Sequence, residues 1–195
     1  MTALSESDIR AIVERVVKRT LGESQPPPAP SAIAHPSDGG GLGGGQSIAL
    51  GTDHGGYPLK EILKTHLASL NYSVIDCGTN STDAVDYPDF AYAVARLVSE
   101  GKAWRGIVVD GAGIGSAMVA NKVPRVRAAL CYDHATAMNS REHNDANVLT
   151  LGAGLIGASL AKQIAEVWLK TEFGGGRHAK RVDKIVEVEK RFLKD

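Results

Sequence analysis

Two short stretches of the chain end in polar residues and glycines, an arrangement that suits the binding of an anionic or hydroxylated ligand. One is Asp53-His54-Gly55-Gly56, which follows an apolar run, and the other is the segment 110–116, which reads DGAGIGS. Glycines between a strand and a helix let backbone N–H groups approach a ligand closely, and several such groups can point at one anion. Both stretches are candidate ligand-binding turns, although an aspartate such as Asp53 is equally typical of a helix cap.

The glycine-rich segment differs from the fingerprint of dinucleotide-binding proteins. Gly111, Gly113 and Gly115 alternate along the chain, whereas the third glycine of G-x-G-x-x-G stands further along. Asp110 immediately precedes these glycines and places a carboxylate beside their N–H groups. The combination of the Asp110 carboxylate with the glycine N–H groups favours a binding site for an anion or a reactive oxygen atom over a nucleotide-binding turn.

A second set of polar residues comes later and combines acid/base groups with cations. Two arginines four residues apart share one face if the last helix begins early enough, and two guanidiniums on one face can grip a phosphate. The same pattern is also typical of a solvent-exposed basic face, and the residues alone leave both interpretations open. The set consists of His143, Asn144, Arg177, His178 and Arg181.

The elements that carry these residues alternate between two hydrophobic patterns. From Ser47 onward, short apolar runs alternate with segments of helical periodicity, and one helix is expected over about 134–142. Such alternation predicts an α/β fold with a parallel sheet covered by helices on both faces. Ligands of such sheets bind at the carboxyl ends of the strands. Five strands are expected, in the segments 47–56, 72–79, 105–115, 127–133 and 147–154, the first and third of which end in polar residues and glycines.

Composition excludes several classes of protein. The 195 residues contain 22 Lys+Arg and 22 Asp+Glu, so the formal net charge is zero, which argues against a nucleic-acid or membrane-surface partner. Two cysteines, Cys77 and Cys131, are too few for a disulfide framework or a cysteine-rich zinc module. With no apolar run near the roughly 20 residues of a membrane helix and a polar start, we expect a cytoplasmic protein.

The chain divides into three parts. Residues 22–46 contain 7 of the 22 glycines and 5 of the 8 prolines, which predicts a flexible linker. Residues 1–21 before it have apolar residues at helical spacing and predict an amphipathic helix, which is too short to be stable on its own in water. Residues 47–195 form the α/β domain.

Taken together, the motifs of the domain resemble the ribose-5-phosphate isomerase B family, which includes the galactose-6-phosphate isomerase subunits. The resemblance covers nearly all of residues 47–195. The matching stretches are GTDHGGYPLK, VDYPDFA, the glycine loop with ANKVPRVRAALCYD, SREHNDANVLTLG and GGGRHAKRVDKI. It implies a three-layer Rossmann-like sandwich, an aldose–ketose isomerase that works through an enediol without metal or organic cofactor, and a homodimer, or a tetramer, with shared active sites.

The resemblance also implies roles for individual residues. His143 acts as the acid/base that opens the sugar ring, with Asn144 beside it, and Asp110 stands where the family has its proton-abstracting base. The N–H groups of Gly111, Gly113 and Gly115 hold the enediolate oxygen. The remaining contacts to substrate come from Asp53, which holds hydroxyls, from Tyr87, which lines the pocket, and from the phosphate ligands His54, Arg177, His178 and Arg181.

Three departures from the family pattern bear on activity. Asp110 replaces the cysteine that many relatives use as base, Ala112 replaces a common threonine, and Gly154 replaces an arginine that often helps to bind phosphate. A carboxylate is chemically competent for the proton transfer. The alternatives are a galactose-6-phosphate-type isomerase, or a catalytically weakened sugar-phosphate-binding cargo or scaffold protein in which Asp110 only caps a helix or binds a sugar hydroxyl.

The N-terminal helix and linker resemble the encapsulation peptides that carry enzymes into bacterial microcompartments. This implies that residues 1–21 bind shell protein or other cargo and that the enzyme resides in the compartment lumen. The alternatives are a helix that docks on its own dimer, a small coiled coil, and a membrane-surface anchor. The last is disfavoured because the apolar face lacks Trp and Phe.

Overall fold

The computed structural model describes residues 46–192. The predicted amphipathic helix at 1–21 and all but the last residue of the predicted linker at 22–46 lie outside the described residues. None of the helices within residues 46–192 combines the length and the apolar character needed to cross a bilayer.

A parallel sheet of five strands forms the centre of the domain, in the order β2-β1-β3-β5-β4. The central strands are buried along almost their whole length, because helices cover both faces, and their sequences are accordingly continuous apolar runs. The strands are β1 Ser47–Thr52, β2 Ser73–Asp76, β3 Arg105–Asp110, β4 Ala128–Leu130 and β5 Val148–Gly152.

Helices occupy both faces of the sheet, which confirms the predicted three-layer α/β sandwich. One core contains apolar residues of α1, α4 and α5, and the opposite core contains those of α2 and α3. Gly51 and Gly106 let α2 approach closely, since a Cβ on either would lie 2.6 or 2.5 Å from a methyl group of Val94. The helices are α1 Tyr57–Ser69, α2 Tyr87–Ser99, α3 Ile114–Ala120, α4 His134–Glu142, α5 Ala158–Lys170 and α6 Ala179–Phe192.

The last helix begins too late to include both Arg177 and Arg181, as a shared helix face would require. Gly175 and Gly176 have φ angles of +56° and +52°, which a right-handed helix does not accommodate. α6 begins at Ala179, and Arg177 lies in the turn between these glycines and the helix. Arg177 and Arg181 are both exposed, and only Arg181 lies within α6.

Candidate active site

The turn after β1 is organised by the buried carboxylate of Asp53. Its Oδ1 accepts hydrogen bonds from the N–H groups of Gly55 at 3.0 Å and Gly56 at 3.1 Å. The side chain of His54 points to the loop that leads into α2, and its Nδ1 lies 3.2 Å from both the N and the O of Val85. Asp53 therefore fixes this turn through one of its two oxygens.

The loop after β3 is held together by Asp110, which is 5% exposed. Its Oδ1 accepts from the N–H groups of Ala112, at 2.8 Å, and of Gly113, while its Oδ2 accepts from Ser116 through both the N–H, at 3.2 Å, and the hydroxyl. A carboxylate offers about four acceptor positions, and these four donors match them. The N–H group of Gly113 thus binds the protein's own carboxylate in this structure.

Gly113 makes this arrangement possible. Its φ of +78° lies in the left-handed region that favours glycine, and a Cβ here would lie 2.5 Å from the side chain of Leu130 and 2.9 Å from the backbone of Leu151. The turn it forms directs successive N–H groups toward Asp110. A glycine at this position is therefore required by both backbone conformation and space.

The turns after β1 and β3 lie side by side, together with the first residue of α2. A Cβ on Gly55 would lie 3.4 Å from Asp53 Oδ1 and 3.6 Å from the N of Gly111. A Cβ on Gly115 would lie 2.5 Å from the ring of Tyr87, which is 38% exposed. We call these residues the carboxyl-edge group; its members are Asp53, His54, Tyr87, Asp110, Gly111, Gly113 and Gly115.

Residues that replace family side chains also border this loop. The carbonyl oxygen of Ala112 accepts a hydrogen bond from the hydroxyl of Tyr132 at 2.6 Å. Gly154 donates its N–H to the carbonyl oxygen of Gly111 at 2.9 Å, and a Cβ on Gly154 would lie 3.0 Å from that same oxygen. Sequence reasoning missed the contacts of Tyr132 and Ser116 with this loop, and the signal for Ser116 was its place in the first turn of α3.

The later polar residues gather between the end of α4 and the turn before α6. The imidazoles of His143 and His178 are stacked, with centroids 4.1 Å apart and planes 5° from parallel. Nδ1 of His143 lies 2.8 Å from the side-chain amide nitrogen of Asn139. The carbonyl oxygen of Asn144 accepts a hydrogen bond from Arg127 at 3.2 Å. We call His143, Asn144, Arg177, His178 and Arg181 the amino-edge group.

The amino-edge group is electrostatically positive around a buried imidazole. Burial lowers the pKa of His178, and the nearby charges of His143, Arg177 and Arg181 lower it further, while Glu142 acts in the opposite sense. His178 is therefore neutral at neutral pH. Within residues 46–192, no three His, Cys, Asp or Glu side chains lie in an arrangement that could hold a metal ion.

The carboxyl-edge group lies where the strands end, and the amino-edge group lies at the opposite side of the sheet, where the strands begin. In the β3–β5 pair, Gly106 lies opposite Val148 and Asp110 opposite Gly152, so Asp110 ends β3 at the edge where β5 also ends. Asn144, in contrast, precedes the start of β5. Four residue steps of strand, about 13 Å, separate the two edges. The expectation that the polar residues gather at the carboxyl ends of the strands thus holds for the first group and not for the second.

Comparisons with known proteins agree with this architecture. The family model described as Ribose/Galactose Isomerase matches residues 48–185. The chain is 42% identical over 146 residues to ribose-5-phosphate isomerase B of Escherichia coli K12, covering 75% of this chain and 98% of that one. It is 43% identical over 140 residues to D-erythrulose-4-phosphate isomerase of Pectobacterium atrosepticum, covering 71% of this chain and 92% of that one.

A solved structure shows the same fold at higher identity. Ribose-5-phosphate isomerase B of Clostridium thermocellum superposes with a TM-score of 0.75 at 51% sequence identity, covering 76% of this chain and all of that chain. The family match extends over well more than half of the chain, and it includes both the carboxyl-edge and the amino-edge groups. The expected resemblance is confirmed, and the chain belongs to the ribose/galactose isomerase family of sugar-phosphate isomerases.

Proposed function

We propose that the protein interconverts ribose 5-phosphate and ribulose 5-phosphate, or a closely related aldose–ketose pair, through an enediol. The observation that carries this proposal is the preorganised loop at Gly111–Gly115, which lies beside Asp53 and whose N–H groups at Ala112 and Gly113 converge on the carboxylate of Asp110. Such donors stabilise an enediolate because they need no reorganisation when the charge develops.

Proton transfer in this proposal begins at Asp110. The proton on C2 of the open-chain aldose moves to the carboxylate, and the negative charge moves to the oxygen on C1. Protonated Asp110 then holds the N–H of Gly113 less tightly, so this group becomes available to the enediolate together with those of Gly111 and Gly115. Return of the proton from Asp110 to C1, with transfer of the C2 hydroxyl proton to the C1 oxygen, gives the ketose.

Ring opening is assigned to His143. With the Asn139 amide donating to its Nδ1, the neutral imidazole carries its proton on Nε2. The Nε2 proton passes to the ring oxygen of the sugar as the bond from that oxygen to C1 breaks, and the proton of the C1 hydroxyl passes to Nε2, so the imidazole is neutral before and after the step. Asn144 lies beside the opened chain. Arg177 and Arg181, with His178 beside them, and His54 hold the phosphate, so that binding energy at the phosphate positions C1 and C2.

Because the two groups lie at opposite edges of one chain, we propose that a homodimer completes each site, with the carboxyl-edge group of one subunit facing the amino-edge group of the other. Exposed apolar side chains that could form the interface accompany both groups. On α3 these are Ile114 and Met118, and on α6 they are Ile185, Val188 and Phe192, which are 47, 50 and 81% exposed. Burying such side chains is the usual driving force of dimerisation.

Mixing two inactive variants tests both the activity and the shared site. Asp53→Ala and His143→Ala are each expected to lower the kcat/KM for ribose 5-phosphate at least about 100-fold, since each removes one side of the site. In co-expressed heterodimers one of the two sites contains only wild-type residues. The mixture should therefore recover about one quarter of wild-type activity per subunit.

The controls separate the possible failures. Absence of recovery in verified heterodimers would show that each site is built within one chain. Absence of turnover by the wild-type protein, tested with ribose 5-phosphate, galactose 6-phosphate and D-erythrulose 4-phosphate, would favour the alternative of a sugar-phosphate-binding cargo or scaffold protein. Preference for galactose 6-phosphate would select the galactose-6-phosphate-type isomerase.

We further propose that residues 1–21 direct this enzyme into the lumen of a bacterial microcompartment within the cytoplasm, through contact with shell protein or another cargo. The apolar stripe of the predicted helix and the Pro/Gly-rich linker support the proposal. Residues 1–22 fused to a fluorescent protein should form foci in cells that make a shell, whereas a fusion carrying Ile12→Asp and Val16→Asp should stay diffuse. Diffuse fluorescence of the unaltered fusion would refute it.

A further inference from the structure

We propose that His178 is a positioning residue for His143: its buried imidazole is the flat surface against which the ring of His143 is held while that ring exchanges a proton with the sugar. The proposal rests on the proposed isomerase function. It assigns His178 a part in ring opening rather than in phosphate binding.

The packing around the pair is asymmetric. His178 is only 8% exposed, whereas the side chain of His143 is 36% exposed, so His178 lies beneath and His143 faces the solvent. The centroid separation of 4.1 Å and the 5° angle place the two rings in parallel contact. One face of His143 is therefore covered by an aromatic surface, and rotation of the ring would break that contact.

The backbone ties the two histidines to one another. The N–H of Gly174 donates to the carbonyl oxygen of Glu142 at 2.9 Å, which joins the segment carrying His178 to the end of the helix carrying His143. The N–H of His178 donates to Gly175 at 2.9 Å, and its carbonyl oxygen accepts from Arg181 at 2.9 Å. These bonds fix the position of the His178 backbone relative to His143.

The protonation state of His178 is better suited to a packing surface for the ring of His143 than to a phosphate ligand. Nε of Arg177 points at Nε2 of His178 at 3.4 Å, so Nε2 is an acceptor and Nδ1 carries the proton. That Nδ1 is buried without a hydrogen-bond partner, so the proton is turned away from any phosphate in solvent. The charged groups facing His178 are Arg177 and Arg181 on its own segment and His143 and Glu142 at the end of α4.

A neutral His178 has a consequence for catalysis. Two stacked imidazolium rings would repel each other, whereas a neutral ring beneath His143 leaves that residue able to gain and lose a proton during ring opening. The contribution of His178 is thus orientation and an uncharged surface, and the charge that binds phosphate comes from the arginines.

Kinetics of two His178 variants test this role. His178→Ala removes the stacked surface and is expected to lower the kcat for ribose 5-phosphate by roughly 10- to 100-fold with little change in KM, because misplacement of a catalytic group by about 1 Å can cost that much. His178→Phe keeps a flat ring without nitrogen atoms and should restore most of the kcat. Competitive inhibition by inorganic phosphate should be unchanged in both.

A matched control and the contrary outcomes complete the test. His66→Ala removes another partly buried histidine, one paired with Glu166 at 2.9 Å on a different helix, and should leave kcat unchanged. A raised KM and weakened phosphate inhibition at unchanged kcat would make His178 a phosphate ligand and overturn the proposal. So would a His178→Phe variant that is folded, by circular dichroism, but as slow as His178→Ala. If the proposed isomerase function is wrong, the result is different from either of these outcomes, because the wild-type protein itself would then be inactive.

Discussion

Asp110→Asn is expected to lower the kcat/KM for ribose 5-phosphate by about 10³-fold or more. A carboxamide cannot accept the C2 proton, and general-base catalysis contributes typically about 10² to 10⁴ in rate. Turnover and the exchange of substrate C2 hydrogen with deuterated water both measure this step. The exchange should fall in parallel with turnover, because both require proton abstraction.

The same substitution also disturbs the loop, and this effect has to be separated from loss of the base. The amide nitrogen of asparagine cannot accept from the N–H of Ser116, which Asp110 Oδ2 does at 3.2 Å. Loss of that buried bond costs about 1–3 kcal/mol in the free energy of unfolding. Thermal unfolding of the variant reports this loss independently of activity.

Ser116→Ala provides the matched control. It removes the hydroxyl that donates to Asp110 Oδ2 but leaves the carboxylate in place. If Asp110 is the base, Ser116→Ala should retain activity within about 10-fold of wild type, since one hydrogen bond to a charged group is worth about 1.5 kcal/mol. Full activity in Asp110→Asn would instead leave Asp110 the single role of capping α3.

The fold could be predicted from the sequence because each local signal agreed with its neighbours. The helix at His134–Glu142 is an example, since Asp133 and Thr136 form a capping box that starts it where the apolar pattern requires. The buried central strands are apolar throughout, as strands covered on both faces must be. These signals act within a few residues and so can be recognised without knowledge of tertiary contacts.

The arrangement of the site was only partly predictable, since it depends on contacts between distant residues. Motifs identified Asp110 and His143, but placing them at opposite edges requires the direction of each strand and the path of α4 back across the sheet. The four donors around Asp110 depend on the left-handed backbone of Gly113. The position of Arg177 before α6 similarly depends on two successive glycines with positive φ.

Asp76→Asn is expected to destabilise the folded domain by about 2 kcal/mol, because it removes one of the two carboxylates that pair with the buried ammonium of Lys60 and leaves only that of Glu61, at 2.9 Å. The side chain of Lys60 is fully buried, and its Nζ lies 3.1 and 3.0 Å from the two oxygens of Asp76 and 2.9 Å from the carbonyl oxygen of Thr79. For a domain of this size, the loss corresponds to a fall in Tm of roughly 4–8 °C.

The dependence of the unfolding free energy on pH, at acidic pH, gives a second measurement on the carboxylate of Asp76. Burial by itself raises the pKa of Asp76, but hydrogen bonds from Lys64, the N–H of Gly78 and Lys60 outweigh it and hold that pKa below its ordinary value. The stabilising contribution is therefore complete above the ordinary pKa of an aspartate and is lost as the pH falls through the lowered pKa. Asp76→Asn should flatten this part of the curve of unfolding free energy against pH.

A double-mutant cycle distinguishes the effect of a lost counter-charge on the buried ammonium of Lys60 from simple loss of packing. Lys60→Met removes the buried charge and leaves Asp76, whose side chain is 19% exposed, with Lys64 at 2.6 Å, so it should cost less than Asp76→Asn. The double variant should be more stable than Asp76→Asn alone, because an apolar side chain then replaces a buried ammonium that has lost one of its two carboxylates. Lys64→Met, which contacts the same carboxylate from an exposed position, should cost about 1 kcal/mol or less. A double variant less stable than Asp76→Asn would show that Lys60 stabilises the fold chiefly through its contacts with Glu61 and Thr79 and its packing, since removing the buried charge would then bring no gain.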